Sequence, residues 1–272
     1  MQKFNFKAAV LFKQKKKLKI VTLKRQKKLL RGQVFVKIIY SGICGSQLGE
    51  IDGVKGKDKY LPHLLGHEAT GIVQEIGPGV KNFKILDKVI LHWKISKGCN
   101  SQNPYFFFKK KKINAGKVTT FSQYSIVSEN RMTKLPRDLN FKNAVVFGCA
   151  ATTGYGVVNK DAKLKKDEII VIFGCGGVGL NILHAALIKK VKKIFLVDRN
   201  KKQFSFQKKT NSILTFHYRN NLKSLKKFIL KNTNNNKIDT FIDTTGKKNI
   251  IEFGLDIIND QKGKLVLVGV QN

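Results

Sequence analysis

Acidic residues are scarce: 17 Asp and Glu stand against 53 Lys and Arg, a formal net charge of +36 over 272 residues. A surplus of that size raises nucleic acid or an anionic membrane as a partner. The lysines, however, are spread along the whole chain beside abundant Asn, Ile and Phe and form no single patch. Solvated lysine faces on an ordinary enzyme are therefore the preferred reading, and a basic nucleic-acid-binding protein is the lesser alternative. Cysteine is scarce too. The four present, Cys44, Cys99, Cys149 and Cys175, are scattered, which argues against a disulfide framework and fits a reducing, cytoplasmic location. The first residues alternate at Phe4, Phe6, Ala8 and Val10 and turn charged at Lys13 to Lys19, without the apolar core of a signal peptide, so no targeting segment is expected. There is no internal repeat at a solenoid period. Apolar residues are not lacking: 42% of the chain is hydrophobic, which excludes disorder, and the length accommodates two domains with separate cores.

The most informative stretch is 169–198. A β-branched run, Ile169 to Phe173, enters a loop with Gly174, Gly176 and Gly179 in G-x-G-x-x-G spacing, with Gly177 and Val178 between them. An apolar, helix-compatible segment follows, then a strand at Ile194 to Val197 that ends on Asp198. The first glycine permits a tight turn, the second lets a pyrophosphate approach bare backbone, and the third lets the helix pack on the strand. Free N–H groups at the helix start face the phosphates. An acid about 20 residues past the glycines accepts hydrogen bonds from the adenosine ribose and repels a 2′-phosphate, so Asp198 favours NAD over NADP. Arg199 weakens that preference, and Val268 is counted with the cofactor-binding residues. The competing reading of Ile169 to Ile188 as a membrane span rests on its lack of charge. Its clustered glycines argue against that, and no membrane partner is expected.

Around this unit the chain reads as two domains. Residues 1–145 give short strands at 4–12, 18–23, 34–40, 70–76, 88–92 and 121–127 with glycine turns, which predicts a partly open β-barrel. Residues 96–118 interrupt the pattern with Tyr105 to Phe108 and Lys109 to Lys112, and read as an exposed lobe carrying a local aromatic cluster. A helix-like stretch, 144–158, joins the halves. Residues 146–272 then alternate strands at 213–216, 239–243 and 264–270 with helices near 221–231 and 248–258, the pattern of a doubly wound parallel sheet.

Four ordered motifs carry a resemblance: Gly42-Ile43-Cys44-Gly45-Ser46; Gly66-His67-Glu68 with Gly71-Ile72-Val73; Gly148-Cys149 followed by Thr153-Gly154-Tyr155-Gly156; and Gly174 to Gly179. Together they resemble the zinc-dependent alcohol dehydrogenases of the medium-chain dehydrogenase/reductase superfamily, over the chain from about residue 5 onward. The resemblance implies a GroES-like barrel and a Rossmann domain. It also implies one catalytic zinc on Cys44, His67 and Cys149, and hydride transfer between NAD and a small alcohol, polyol or carbonyl substrate. Ser46 would take the substrate proton, Glu68 would stand behind the metal, and Thr153 and Val178 would sit behind the nicotinamide ring. Spacing alone does not group the three ligands. By themselves Cys44 and Cys149 read as buried thiols and His67 as a core histidine.

The sequence also departs from the family. Cys99 alone stands where many relatives carry four cysteines, so a second, closed zinc site is not expected. Gln47 replaces a frequent Asp, Gly49 a proton-relaying histidine, Gly45 a basic residue, and Leu86 a glycine. Relatives continue past the position of Asn272 with a last strand that builds a dimer interface. The Rossmann sheet therefore reads as truncated, a homodimer or tetramer as doubtful, and a non-catalytic nucleotide-binding remnant as the alternative function.

Overall fold

The computed structural model describes residues 5–54, 56–206 and 210–269. Phe4 and Val270, which the sequence reading places at the ends of the first and last strands, lie outside the described residues. The chain divides into two compact units, one ending at Cys149 and the other beginning at Ala150.

The first unit contains β1 (Asn5–Leu11), β2 (Lys19–Arg25), β3 (Gln33–Ser41), a short helix α1 (Gly45–Asp52), β4 (His63–Leu64), β5 (Ala69–Ile76), β6 (Lys88–Leu91), β7 (Tyr105–Phe108), β8 (Lys111–Asn114), β9 (Tyr124–Ser128) and β10 (Met132–Lys134). Helix α2 (Phe141–Ala144) and a 3₁₀ turn, Val145–Gly148, follow. Strands β1-β2-β7-β8-β4 close into a ring, and β10-β6-β5-β3-β9 form a second sheet. The alternation in β1 sets the inward face: Phe6, Ala8 and Val10 are buried and meet Leu23, Phe106 and Ile113 in one cluster. Burying side chains of this size contributes about 1.5–3 kcal/mol for each large one, which holds these short strands in register.

Residues 96–118 are not an exposed lobe. Their hairpin, β7 and β8, supplies two of the ring's strands, and Phe106 and Ile113 are fully buried. Phe106 meets Phe6 edge to face, with ring centroids 5.6 Å apart. The sequence conceals this because both faces of β7 are aromatic. Leu86 takes φ +71°, the left-handed region that favours glycine.

The loop around Cys99 is held by a carboxylate. Glu129 is 1% exposed. Its Oε1 accepts from the Lys81 and Asn82 N–H groups at 2.8 Å, and its Oε2 accepts from the Cys99 N–H at 2.6 Å. Burial alone would raise the Glu129 carboxyl, but the N–H donors of Cys99, Asn82 and Lys81 outweigh it and hold the group below its ordinary value. A lowered folded-state value means stability that is present above the ordinary carboxylate range and lost as pH falls through the lowered value. Glu129→Gln, which turns donors toward donors, is expected to cost about 2–3 kcal/mol in urea unfolding at neutral pH. The gap from the parent should close as pH falls through the lowered value. Coincident neutral-pH midpoints would contradict the assignment.

The second unit begins with α3 (Ala150–Gly156), which runs into a π-helical turn, Val157–Asp161. After it come β11 (Ile169–Phe173), α4 (Gly177–Ile188), β12 (Lys193–Asp198), β13 (Ile213–His217), α5 (Leu222–Asn232), β14 (Thr240–Asp243), α6 (Lys248–Ile257) and β15 (Lys264–Leu267). All five strands are parallel, in the order β13-β12-β11-β14-β15. Successive residues of β11 feed opposite faces. Ile170 and Ile172 pack with Ile182 and Leu183 of α4, while Val171 and Phe173 pack with Ile229 of α5 and Phe253 of α6. Burial on both faces explains why these strands read as continuous apolar runs. At the sheet edge, Lys264 Nζ pairs with the buried Glu168 at 2.7 Å and donates to the Ala162 carbonyl at 2.8 Å.

One expectation is met here and one changes. The stretch 169–188 is a strand, a turn and a 12-residue helix, and among the described residues no helix is long and apolar enough to cross a membrane. The expected continuous helix over 144–158 is interrupted at Cys149, whose backbone leaves the helical region at φ −148°, ψ −71°.

Candidate metal centre and nucleotide loop

The break at Cys149 is imposed from outside the segment. A Cβ on Gly148 would lie 2.5 Å from the Leu91 carbonyl oxygen and 2.7 Å from Glu68 Cβ, so only glycine lets this turn close on β6 and Glu68. Gly42 makes the matching approach from the other side, where a Cβ would lie 2.7 Å from Glu68 Cδ. Glu68, 5% exposed, is thus clasped by the turns that deliver Cys44 and Cys149, while the adjacent His67 leads into β5. Cys44 is the N-cap of α1, in extended backbone.

The result is one cluster. A sulfur from Cys44, a ring nitrogen from His67 and a sulfur from Cys149 all lie within 4.8 Å of one another. Ligands on a zinc tetrahedron, at about 2.3 Å for sulfur and 2.0–2.1 Å for nitrogen, sit about 3.5–3.8 Å apart, so this trio is close to coordination spacing. His67 Nδ1 is engaged by Gln47. His67 Nε2 is buried without a hydrogen-bond partner, so one lone nitrogen is left for the two sulfurs. The Cys44 thiol is held down to about 3, first by Cys149 and then by His67, with burial opposing and the Ser46 hydroxyl and N–H assisting. An unpartnered buried imidazole nitrogen beside an acidified thiol is the donor chemistry that a zinc ion satisfies. Two sulfurs and one imidazole leave a fourth position open, the catalytic class of zinc site for which alcohol dehydrogenases are the standing example.

Ser46 lies beside Cys44, half-buried. A cavity of about 380 Å³ reaches His67 and Gln47, with Glu50, Tyr60, His63, Tyr105, Lys112 and Asn114 among its walls. The part of Gln47 was missed in the sequence. Buried to 3% exposure, it binds Cys44 as well as His67, and the signal was available in its position three residues past the helix cap.

In the second unit, Gly174 at φ +98° makes the turn out of β11. A Cβ on Gly179 would lie 1.9 Å from the Gly174 carbonyl oxygen, so the helix can start this close to the strand only without one. A Cβ on Gly176, by contrast, would meet nothing within 4 Å, and no side chain caps α4. Gly176, Gly177 and Val178 therefore border an open helix N-terminus, which suits a phosphate. Asp198 ends β12 beside this loop: its Oδ2 accepts from the Cys175 N–H at 2.7 Å and its Oδ1 from the Asn200 N–H at 2.6 Å. Each oxygen retains acceptor capacity for ribose hydroxyls. Arg199 is exposed next to it, and Val268 donates its N–H to the Asp243 carbonyl at the end of β14. Thr153 stands half-buried on α3, whose Gly154 abuts Asn181 and Ile182 of α4.

Other cysteine and histidine side chains lie outside the cluster. Cys175 is fully buried, and burial followed by the Asp198 charge pushes its thiol up, which makes it inert. His92 lies between the Lys94 carbonyl and Thr133, His63 pairs with Asp58 at 2.6 Å, His217 meets the Arg199 carbonyl, and His184 is exposed.

A barrel carrying a three-donor metal cluster, followed by a dinucleotide-type sheet, defines a class of oxidoreductase, and the comparisons with known proteins agree. The Alcohol dehydrogenase GroES-like domain family matches residues 30–137. The chain is 31% identical over 267 residues to alcohol dehydrogenase class-2 isozyme 2 of Oryctolagus cuniculus, covering 88% of this chain and 70% of that protein. It is 26% identical to the S-(hydroxymethyl)glutathione dehydrogenase of an Escherichia coli strain, covering 97% and 77%. Among solved structures, an alcohol dehydrogenase zinc-binding domain protein from Burkholderia ambifaria superposes with a TM-score of 0.85 at 20% identity, covering 99% of this chain and 78% of that one. The benzyl alcohol dehydrogenase of Acinetobacter calcoaceticus superposes with a TM-score of 0.79 at 24% identity, covering 98% and 77%. The chain belongs to the zinc-dependent alcohol dehydrogenase family of the medium-chain dehydrogenase/reductase superfamily, an oxidoreductase family.

Proposed function

We propose that this protein transfers a hydride between an alcohol or polyol and NAD, with one zinc ion held by Cys44, His67 and Cys149. The observation that carries the proposal is the convergence of those three donor atoms around a buried imidazole nitrogen that has no hydrogen-bond partner. Zinc held by these residues would supply Lewis-acid chemistry that lowers the pKa of an alcohol substrate. The chain's own residues do the rest. Ser46 beside Cys44 holds and passes on the proton that the alcohol loses, and Glu68 fixes the two cysteine turns from behind. Gly176 and the uncapped start of α4 receive the pyrophosphate. Asp198 takes the ribose hydroxyls and disfavours a 2′-phosphate, so NAD is preferred to NADP. Thr153 and Val178 back the nicotinamide. The cavity at His67 has polar walls in Glu50, His63, Lys112 and Asn114, which favours substrates carrying further hydroxyl groups.

The test is zinc content and NAD titration on the purified protein, followed by NADH formation with chain-matched alkanols and polyols. Expected are one zinc per chain, tighter binding of NAD than of NADP, and higher kcat/KM for polyols. Turnover that survives complete removal of zinc would contradict the proposal.

A further inference from the structure

Gln47 is 3% exposed and spans two fixed groups. Its Oε1 accepts from the Cys44 N–H at 3.0 Å, and its Nε2 faces His67 Nδ1. An amide has one accepting end and one donating end, whereas the Cys44 N–H can only donate. The oxygen must therefore face Cys44, and the NH₂ group must face the imidazole. His67 Nδ1 is thus called on to accept, which puts the proton of the neutral ring on Nε2, toward Cys44 and Cys149. A neutral imidazole that binds a metal through Nε2 needs the opposite arrangement, with its proton on Nδ1. Turning the amide over does not help, because its NH₂ would then face the Cys44 N–H. With the ring proton on Nδ1, either orientation sets one buried donor against another.

We infer that Gln47 is a positioning residue that holds His67 in the tautomer opposed to metal binding, so that this chain's zinc affinity is set below what its three ligands allow. The inference rests on the zinc reading above. A carboxylate at position 47 accepts from both neighbours at once, and Gln47→Glu makes that change at constant length. Outer partners of this kind shift metal affinity by about 10- to 100-fold.

The experiment has two arms. In the metal-free protein, ¹⁵N-histidine NMR, with His67 assigned through a His67→Asn variant, should show the ring proton on Nε2 in the parent and on Nδ1 in Gln47→Glu. In chelator competition, Gln47→Glu should bind zinc about 10- to 100-fold more tightly than the parent. A parent proton on Nδ1, or equal zinc affinity in the two chains, overturns the inference. Failure of both chains to take up zinc overturns the zinc reading instead, and the NMR arm still decides the tautomer.

Discussion

Cys44→Ser is expected to lower zinc affinity by on the order of 10³-fold. Binding energies of about 10–16 kcal/mol shared among four zinc ligands put roughly 2.5–4 kcal/mol on each, the upper end of which is about 10³-fold. A serine hydroxyl, protonated at neutral pH, does not replace a thiol that its neighbours already hold down to about 3. Cys44 is also half-exposed at a helix cap, so little packing is lost and the fold should survive. Turnover should fall by about 10³-fold or more, because the lost Lewis acid contributes several kcal/mol to the reacting centre. Cys99→Ser is the control. Its sulfur donates to the Gly79 carbonyl away from the cluster, and zinc content and rate should match the parent. Equal zinc affinity in Cys44→Ser and the parent would remove Cys44 from the ligand set.

The second large effect is expected at the nucleotide loop. Gly179→Ala places a Cβ 1.9 Å from the Gly174 carbonyl oxygen, a backbone atom at the turn between β11 and α4, with Ile172 Cγ2 3.8 Å away. No flexible side chain can yield there, so the helix must separate from the strand. The cost should be about 3 kcal/mol or more in unfolding experiments, with NAD binding lost as well. Gly176→Ala separates the two roles of the loop. Its Cβ meets no protein atom within 4 Å, so stability should stay within about 0.5 kcal/mol of the parent. Affinity for NAD should still drop about tenfold or more, equivalent to 1.4 kcal/mol, because the proposed binding mode puts the pyrophosphate in that space. Equal NAD affinity in Gly176→Ala and the parent would place the dinucleotide elsewhere.

Much of this architecture was legible in the residues. Alternation along Phe6, Ala8 and Val10 marks a half-buried strand, and the spacing of Gly174, Gly176 and Gly179 marks a turn that must pass under a helix. Other features depend on contacts between distant segments and leave little local trace. The hairpin at 105–114 closes the ring because Phe106 and Ile113 face its core, but a run of four aromatics hides which face is which. The break at Cys149 follows from Leu91 and Glu68 pressing on Gly148, so a helix-like stretch reads as continuous. The convergence of Cys44, His67 and Cys149 has no spacing signature, and only the family resemblance grouped them. Gln47 is an intermediate case: its offset from Cys44 signals a cap interaction, but its second contact, to His67, comes from across the fold.

Zinc-edge X-ray absorption on the zinc-loaded parent reads the coordination shell without reference to turnover. Two sulfur scatterers at about 2.3 Å, with the remaining positions filled by nitrogen or oxygen at about 2.0–2.2 Å, are the expected result. A shell with four sulfurs, or with none, would contradict a centre built from Cys44, His67 and Cys149.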